Sequence, residues 1–263
     1  MKEQYGDIGV TILEGHVAQC EIRRGPNNFF DLQLIKDLAN CFEDIDKDAS
    51  LRAIVLCAEG KHFCAGANFS SNERAEELAV RTKSNRNPLY DEAVRLFRSK
   101  KPVVAAVQGA AVGGGFGLAV MADFRVVCPA TRMTANFVKL GFTPGFGLTH
   151  TLARVVGVQK ANLMFLTGRR INGETAYQWG LADIYADNDN VRNAAIELAR
   201  EIAENAPLAL VSIREQMRPD LADAVEAVTT IESREQSWLQ ETNDHKEGVK
   251  AVTEKRRGNF TAT

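Results

Sequence analysis

The sequence lacks the features that mark metal-binding, disulfide-bonded and exported proteins. Its five cysteines are odd in number and contain no C-x-x-C pair, and its four histidines show no metal-ligand spacing. The first ten residues, MKEQYGDIGV, contain neither an apolar signal region nor an Arg-rich amphipathic stretch. These absences predict reduced thiols, no structural metal and a cytoplasmic location.

An excess of positive charge is also missing. The 263-residue chain has a formal net charge of −2, so its electrostatics do not favour nucleic acid as a partner. One stretch, from Pro102 to Ala122, is long enough to span a bilayer. It consists mostly of Ala and Gly, however, and no second such stretch exists, so we expect no membrane partner either.

The chain is organised around residues 101–123, KPVVAAVQGAAVGGGFGLAVMAD. The β-branched run from Val103 to Val107 is typical of a buried strand. A glycine triplet at 113–115 follows, and Phe116 to Ala122 is typical of the start of a buried helix. Unpaired N–H groups at a helix N-terminus favour a bound negative charge. The glycines fit neither dinucleotide-binding nor phosphate-loop spacing, and tight helix packing is an alternative explanation.

Strands alternate with helical patterns over most of the chain, and only helical patterns occur beyond Asn190. Buried strands are predicted at Val17–Ile22, Ala53–Ala58 and Phe124–Cys128, and the first helix is predicted to follow an N-cap at Asp31. This order predicts an α/β layered core over residues 1–195 and a helical region over residues 196–263.

Four segments together resemble the crotonase (enoyl-CoA hydratase/isomerase) superfamily. They are RAIVLCAEGKHFCAGANF, KPVVAAVQGAAVGGGFGLAVMADFRV, LGFTPGFG followed by LARVVG, and DHKEGVKAVTEKR. The resemblance covers nearly the whole chain. It implies an α/β spiral of repeated ββα units, a C-terminal helical region that forms a homotrimer, and often a dimer of trimers.

The resemblance also implies chemistry on an acyl-CoA thioester, with an enolate stabilised at the thioester oxygen. No cofactor is implied beyond the coenzyme A of the substrate. By position in the motifs, the backbone N–H groups of Ala67 and Gly114 form the oxyanion hole. The residues that the resemblance suggests for contacts with coenzyme A are Arg24, Ala65, Lys255 and Phe260. Arg24 and Lys255 are explained equally well as solvated charges, and Phe260 as a packed aromatic ring.

The chain departs from the family at the two glutamates with which hydratases activate water. Those positions hold Gly117 and Phe137, which cannot accept a proton. Many isomerases carry a carboxylate near the Pro-Gly loop, where this chain has Gly145 and Phe146. No Asp or Glu occurs between residues 123 and 174. We therefore expect this wall of the pocket to be apolar and neutral or slightly basic.

Three explanations of this departure remain open. The base could come from another segment, for which the candidates are Glu73, Glu76, Glu77, Asp91 and Glu92. Decarboxylation of a thioester with a β-carboxylate needs no carboxylate base, and the segment from Thr134 to Gly145 is similar to crotonase-like decarboxylases of polyketide pathways. Alternatively, the protein is a subunit that binds acyl-CoA without turnover.

Few polar side chains are available to assist the reaction. The candidates are Asn68, Thr143, His150 and His62, although a lone histidine is more often structural than catalytic. Cys64 has no evident partner base, so a small buried thiol is a better interpretation than a nucleophile.

Overall fold

The computed structural model describes residues 1–67 and 87–263. Its strands are β1 (Gln4–Tyr5), β2 (Ile8–Leu13), β3 (Val17–Ile22), β4 (Ala53–Ala58), β5 (Val103–Val107), β6 (Ala110–Val112), β7 (Phe124–Val127), β8 (Arg132–Thr134), β9 (Arg170–Asn172) and β10 (Ile184–Tyr185). The main sheet has the order β1-β2-β3-β4-β5-β7-β10, and the smaller sheet has the order β6-β8-β9. In the main sheet, β1 to β3 pair antiparallel and the later pairs are parallel. The strands predicted at 17–22, 53–58 and 103–107 are confirmed.

The helices are α1 (Leu32–Lys47), α2 (Pro88–Phe97), α3 (Gly114–Met121), α4 (Leu148–Val156), α5 (Val158–Thr167), α6 (Gly173–Gln178), α7 (Val191–Ala203), α8 (Pro207–Met217), α9 (Leu221–Leu239) and α10 (Asn243–Thr253). Short 3-10 turns cover Asn136–Leu140 and Asn188–Asn190. The predicted N-cap of α1 is confirmed, because the Asp31 carboxylate accepts the Leu34 N–H at 2.8 Å. No helix in the described ranges is both long and apolar enough to cross a bilayer.

Helix α3 begins two residues earlier than the sequence pattern predicts. The N–H groups of Phe116 and Gly117 both donate to the carbonyl of Gly113 at 3.1 Å, so helical bonding already starts at the glycine triplet. The prediction was late because glycine has a low helix propensity, which tertiary packing overrides here. The triplet itself therefore forms the N-terminus of the helix.

Both faces of the parallel part of the sheet are covered. One face packs on the core that includes α1, α2 and α3, and the other packs on α7 through small and β-branched side chains. The residues of α7 in that second layer are Val191, Ala195, Ala199 and Ala203. Two-sided burial explains why β4 and β5 are apolar throughout. The boundary predicted between residues 195 and 196 falls within α7.

Candidate active site

The two backbone N–H groups assigned to the oxyanion hole lie on segments that the structure brings side by side. Cys64 and Ala111 pair in an isolated parallel bridge. Gly66 lies so close to Val112 that a Cβ atom at Gly66 would be 2.7 Å from the Val112 carbonyl oxygen. The segment that carries Ala67 therefore runs beside the segment that leads into the glycine triplet.

The N–H group of Ala67 is left available by its backbone pairing. Ala67 forms a parallel bridge with Phe30, whose N–H donates to the Gly66 carbonyl at 3.1 Å. The Phe30 N–H thus bonds to the residue before Ala67 and not to Ala67, and in a parallel bridge of this kind the N–H of Ala67 points away from Phe30. It donates to no acceptor within residues 1–67 and 87–263.

The N–H group of Gly114 is available for a different reason. Gly114 is the first residue of α3, and the first N–H groups of a helix have no intrahelical partner. No other acceptor in the described part of the chain receives it. The positive end of the helix dipole also favours negative charge at this point. The local backbone is thus suited to bind an anionic oxygen.

A phenylalanine ring that the sequence analysis missed contacts this site. A Cβ atom at Gly114 would collide with the ring of Phe30, so the ring packs directly on the backbone of α3. Phe30 also pairs with Ala67 through its backbone and is half-buried. Phe30 therefore touches both segments that carry the two N–H groups.

A second ring covers the position of the first family glutamate. Gly117 lies three residues after Gly114, on the same face of α3. A Cβ atom at Gly117 would be 2.9 Å from both Cβ and Cδ1 of Phe146, whose ring is buried. The rings of Phe30 and Phe146 meet edge to face, with centroids 6.2 Å apart. Two rings thus cover the glycine face of α3.

The positions of the other expected carboxylates are also filled. At the second glutamate position the buried ring of Phe137 lies 3.7 Å from where a Cβ at Gly113 would be. A Cβ at Gly145 would collide with the hydroxyl of Tyr90, which donates to Gln236 Oε1 at 2.9 Å. No side chain larger than glycine fits at position 145 while this hydroxyl stays in place.

One carboxylate nevertheless reaches the Pro-Gly loop, and it comes from α9. Glu232 accepts the Gly147 N–H at 2.8 Å, the Thr149 N–H at 3.1 Å and the Thr149 hydroxyl at 2.6 Å. Burial raises the pKa of Glu232 to about 7, although the hydrogen bonds from Thr149 and Gly147 oppose this shift. The sequence predicts an apolar, neutral or slightly basic wall, because no Asp or Glu occurs between residues 123 and 174. Glu232 lies 85 residues from Gly147, so no pattern local to the loop indicates this contact.

The other candidate side chains differ in their surroundings. The Thr143 hydroxyl and the His150 Nε2 are buried without a hydrogen-bond partner among the described residues. Burial, followed by the charge of Arg154, lowers the pKa of His150, which favours the neutral ring at pH 7. Burial raises the pKa of Cys64 to about 12, so it remains a thiol at neutral pH.

The proposed alternative bases are only partly described. Asp91 is exposed on α2, and Glu92 forms an ion pair with Arg95, which also pairs with Glu43 on α1. The other candidate bases, Glu73, Glu76 and Glu77, lie outside the described residues. The candidate assisting residue Asn68 also lies outside them.

Of the residues suggested for contacts with coenzyme A, Arg24 and Ala65 lie in the α/β core. Ala65 donates its N–H to Asn27 at 3.0 Å, and no described residue donates to its carbonyl. Arg24 is bound to Asp7 at 2.7 Å and to Asp31 at 2.6 Å, so it also stabilises the N-cap of α1.

Lys255 and Phe260 lie in the tail after α10, and both are exposed. The tail folds back on α10, where Arg256 forms an ion pair with Glu247 and the Asn259 N–H donates to Glu247 at 2.9 Å. Among the described residues, no hydrogen bond or ion pair joins the tail to residues 64–67. Their contacts with coenzyme A therefore stay predictions.

Comparisons with known proteins agree with this architecture. Residues 13–263 match the family described as enoyl-CoA hydratase/isomerase. A Bacillus subtilis (strain 168) protein named "Probable enoyl-CoA hydratase" is 32% identical, over 94% of this chain and 96% of its own length. The 1,2-epoxyphenylacetyl-CoA isomerase of Escherichia coli (strain K12) is 29% identical, over 89% of this chain and 90% of its own length.

The fold is also that of a solved member. The crystal structure of an enoyl-CoA hydratase/isomerase from Pseudoalteromonas atlantica T6c superposes with a TM-score of 0.84 at 24% identity, covering 97% of this chain and 100% of that chain. The match of a family model over nearly the whole length confirms the resemblance found in the sequence motifs. The chain belongs to the enoyl-CoA hydratase/isomerase family, within the crotonase superfamily.

Proposed function

We propose that the protein transforms an acyl-CoA thioester by stabilising an enolate at the thioester oxygen, without the glutamate pair that activates water. The observation that carries this proposal is the available N–H of Gly114 at the N-terminus of α3, beside the segment that carries Ala67. Each preorganised donor of this kind typically contributes about 3 kcal/mol of transition-state stabilisation.

The side chains at the two family glutamate positions and at the Pro-Gly loop decide which reactions of an enolate suit the site. Hydration requires a carboxylate to deprotonate water, and positions 117 and 137 hold Gly117 and Phe137. Decarboxylation of a β-carboxylate thioester requires no base. The bond to the carboxylate breaks, carbon dioxide leaves, and the electron pair forms the enolate that the two donors bind. The rings of Phe137 and Phe146 favour this reaction, because they place no negative charge beside the substrate carboxylate.

Isomerisation of an acyl-CoA is the second candidate reaction. The observation in its favour is the 29% identity to 1,2-epoxyphenylacetyl-CoA isomerase over nearly the whole chain. Moving a double bond requires a group that takes one proton and returns another. For this reaction the base would have to come from a segment other than those that carry Gly117, Phe137 and Phe146.

An assay of crotonyl-CoA hydration separates decarboxylation and isomerisation from hydration by a glutamate pair. We expect a rate lower by about 10²–10⁴-fold than that of a hydratase with both glutamates, since general acid–base catalysis typically contributes this factor. A rate comparable to such a hydratase would overturn the claim that Gly117 and Phe137 abolish water activation.

A panel of malonyl-type, enoyl- and β-hydroxyacyl-CoA thioesters then identifies the reaction. Turnover of any of them excludes the alternative of a non-catalytic acyl-CoA-binding subunit. Binding is checked separately by the melting temperature, because a ligand that binds only the native state must raise it. If no CoA thioester raises the melting temperature, the protein has no acyl-CoA site.

We also propose that the chain assembles as a homotrimer or a dimer of trimers. The helical region supports this, because α8 has no buried residue, and Leu208 and Met217 on it are 85% and 71% exposed. Trp238 on α9 is 54% exposed. Large apolar side chains exposed together are typical of surfaces covered by a partner.

A further inference from the structure

The glycine face of α3 is covered by side chains from two distant segments. Gly114 and Gly117 carry no side chains there, and the rings of Phe30 and Phe146 pack on them and on each other. We propose that these two rings form a wall that limits the size of the acyl group, and that Glu232 is a positioning residue that holds Phe146 in this wall. The inference rests on the proposed function, because it takes this face of α3 as the side where the thioester binds.

The backbone of Phe146 has a conformation that is unfavourable for a residue with a side chain. Its φ angle is 63°, in the left-handed region that a residue with a Cβ atom adopts rarely. Such a conformation persists only where the surroundings fix it. The position of this ring therefore depends on contacts made by the neighbouring loop residues.

Glu232 supplies those contacts on the C-terminal side of the ring. It is 3% exposed, and its two carboxylate oxygens accept hydrogen bonds from Gly147, which directly follows Phe146, and from Thr149. A buried carboxylate with three donors is a rigid attachment, since leaving any of these groups unpaired would be costly.

Gln236 supplies the contacts on the N-terminal side. It lies one helical turn after Glu232 on α9, and its Nε2 donates to the carbonyls of Thr143 at 3.0 Å and Pro144 at 3.1 Å. Helix α9 therefore holds the loop on both sides of Phe146. In this way the helical region contributes to the wall of a site that the α/β core carries.

A purely structural role for Glu232 is the competing explanation. Gly147 is the N-cap of α4 and has no side chain to cap that helix, so Glu232 supplies the cap from α9. If capping were its whole role, removing it would lower stability and leave the acyl preference unchanged. A measurement of acyl preference therefore distinguishes the two roles.

The test compares butyryl-CoA with phenylacetyl-CoA by calorimetric binding to the full-length protein. In Phe146→Ala the Cβ atom and the backbone strain are retained while the ring is lost. We expect the affinity for phenylacetyl-CoA relative to butyryl-CoA to rise about tenfold. In Glu232→Gln an NH₂ group replaces one acceptor oxygen and faces a backbone donor, and we expect the same ratio to rise about threefold.

Two matched variants control for general loss of stability. Phe165→Ala removes a partly buried ring on α5, and Glu226→Gln changes an exposed carboxylate on α9 that pairs with Arg98. Neither should change the ratio. An unchanged ratio in Phe146→Ala or in Glu232→Gln, with both thioesters bound, would overturn the inference and leave the proposed function intact. If neither thioester binds the unmodified protein, the proposed function fails, and the inference fails with it.

Discussion

At the residue scale, Gly117 and Phe146 are matched to each other. The Cβ of Phe146 stands 2.9 Å from where a Cβ at Gly117 would be, so the absence of one side chain makes room for the other. The glycine at position 117 and the ring of Phe146 therefore depend on each other sterically.

This match has a measurable consequence for stability. We expect Gly117→Glu to lower the free energy of unfolding by about 3 kcal/mol, because it overpacks the core and buries a charge. Adding Phe146→Gly should restore part of that loss, since it removes both the ring and its Cβ. Denaturant unfolding of the four proteins in a double-mutant cycle measures this coupling. Additive effects of the two substitutions would show that the residues are not matched.

A second consequence at this scale concerns the proton on Glu232. Its pKa of about 7 lies above the value of about 4.3 in an unfolded chain, so the folded state holds the proton more tightly. The free energy of unfolding should therefore fall as the pH rises from about 4.3 to about 7, and it should stay low above that range.

Glu232→Gln should remove this dependence, because glutamine does not titrate. Relative to the variant, the unmodified protein should lose on the order of 3 kcal/mol between pH 4.5 and pH 8. Chemical denaturation at a series of pH values gives the difference. If the difference in free energy of unfolding between the two proteins does not change with pH, the raised pKa of Glu232 is contradicted. The same holds if the unmodified protein gains stability relative to the variant as the pH rises.

At the element scale, α8 is attached to the core by charges and not by apolar packing. None of its apolar residues is buried, yet the carboxylate of Asp123 accepts from Arg214 at 2.9 Å and from Arg218, just after the helix, at 2.7 Å. All three side chains are at most 15% exposed. Asp123 also accepts the N–H of Val103 at 2.8 Å, which ties the helix to the start of β5.

Removing this carboxylate should release α8. We expect Asp123→Asn to cost about 3–5 kcal/mol, because it leaves two buried guanidinium groups without a counter-charge. Limited proteolysis should then cut first near α8, and the melting temperature should fall. The exposed Asp189 provides the control, and Asp189→Asn should change neither result. An intact α8 in Asp123→Asn would refute the attachment.

Sequence patterns located some elements of the fold and not others. Strong periodicity with a cap located α1, alternation of apolar and polar residues located β3, and apolar runs located β4 and β5. The segment from Arg132 to Leu140 could not be assigned, because β8 has three residues and its partner strands come from distant parts of the chain. In the site, motifs indicated Gly114, whereas the contact between Tyr90 and Gln236 spans 146 residues and leaves no local pattern.

At the scale of the whole molecule, the exposed apolar residues of the helical region make assembly testable. We expect sedimentation to give the mass of three or six chains. Leu208→Asp, which places a charge on an 85% exposed position of α8, should shift the distribution toward the single chain. Ile12→Asp, at a 53% exposed position on β2, serves as the control. A single-chain mass for the unmodified protein would contradict the proposed assembly.

The central claim is that the N–H groups of Ala67 and Gly114 bind the thioester oxygen, and the carbonyl stretching frequency of a bound thioester tests it most directly. Gly114→Pro removes the N–H, and Gly114→Ala is its control, because both add a Cβ against the Phe30 ring but only proline lacks the donor. We expect a carbonyl frequency below the aqueous value in the unmodified protein and in Gly114→Ala, and a return toward that value in Gly114→Pro. A bound thioester whose frequency equals the aqueous value in the unmodified protein would contradict it.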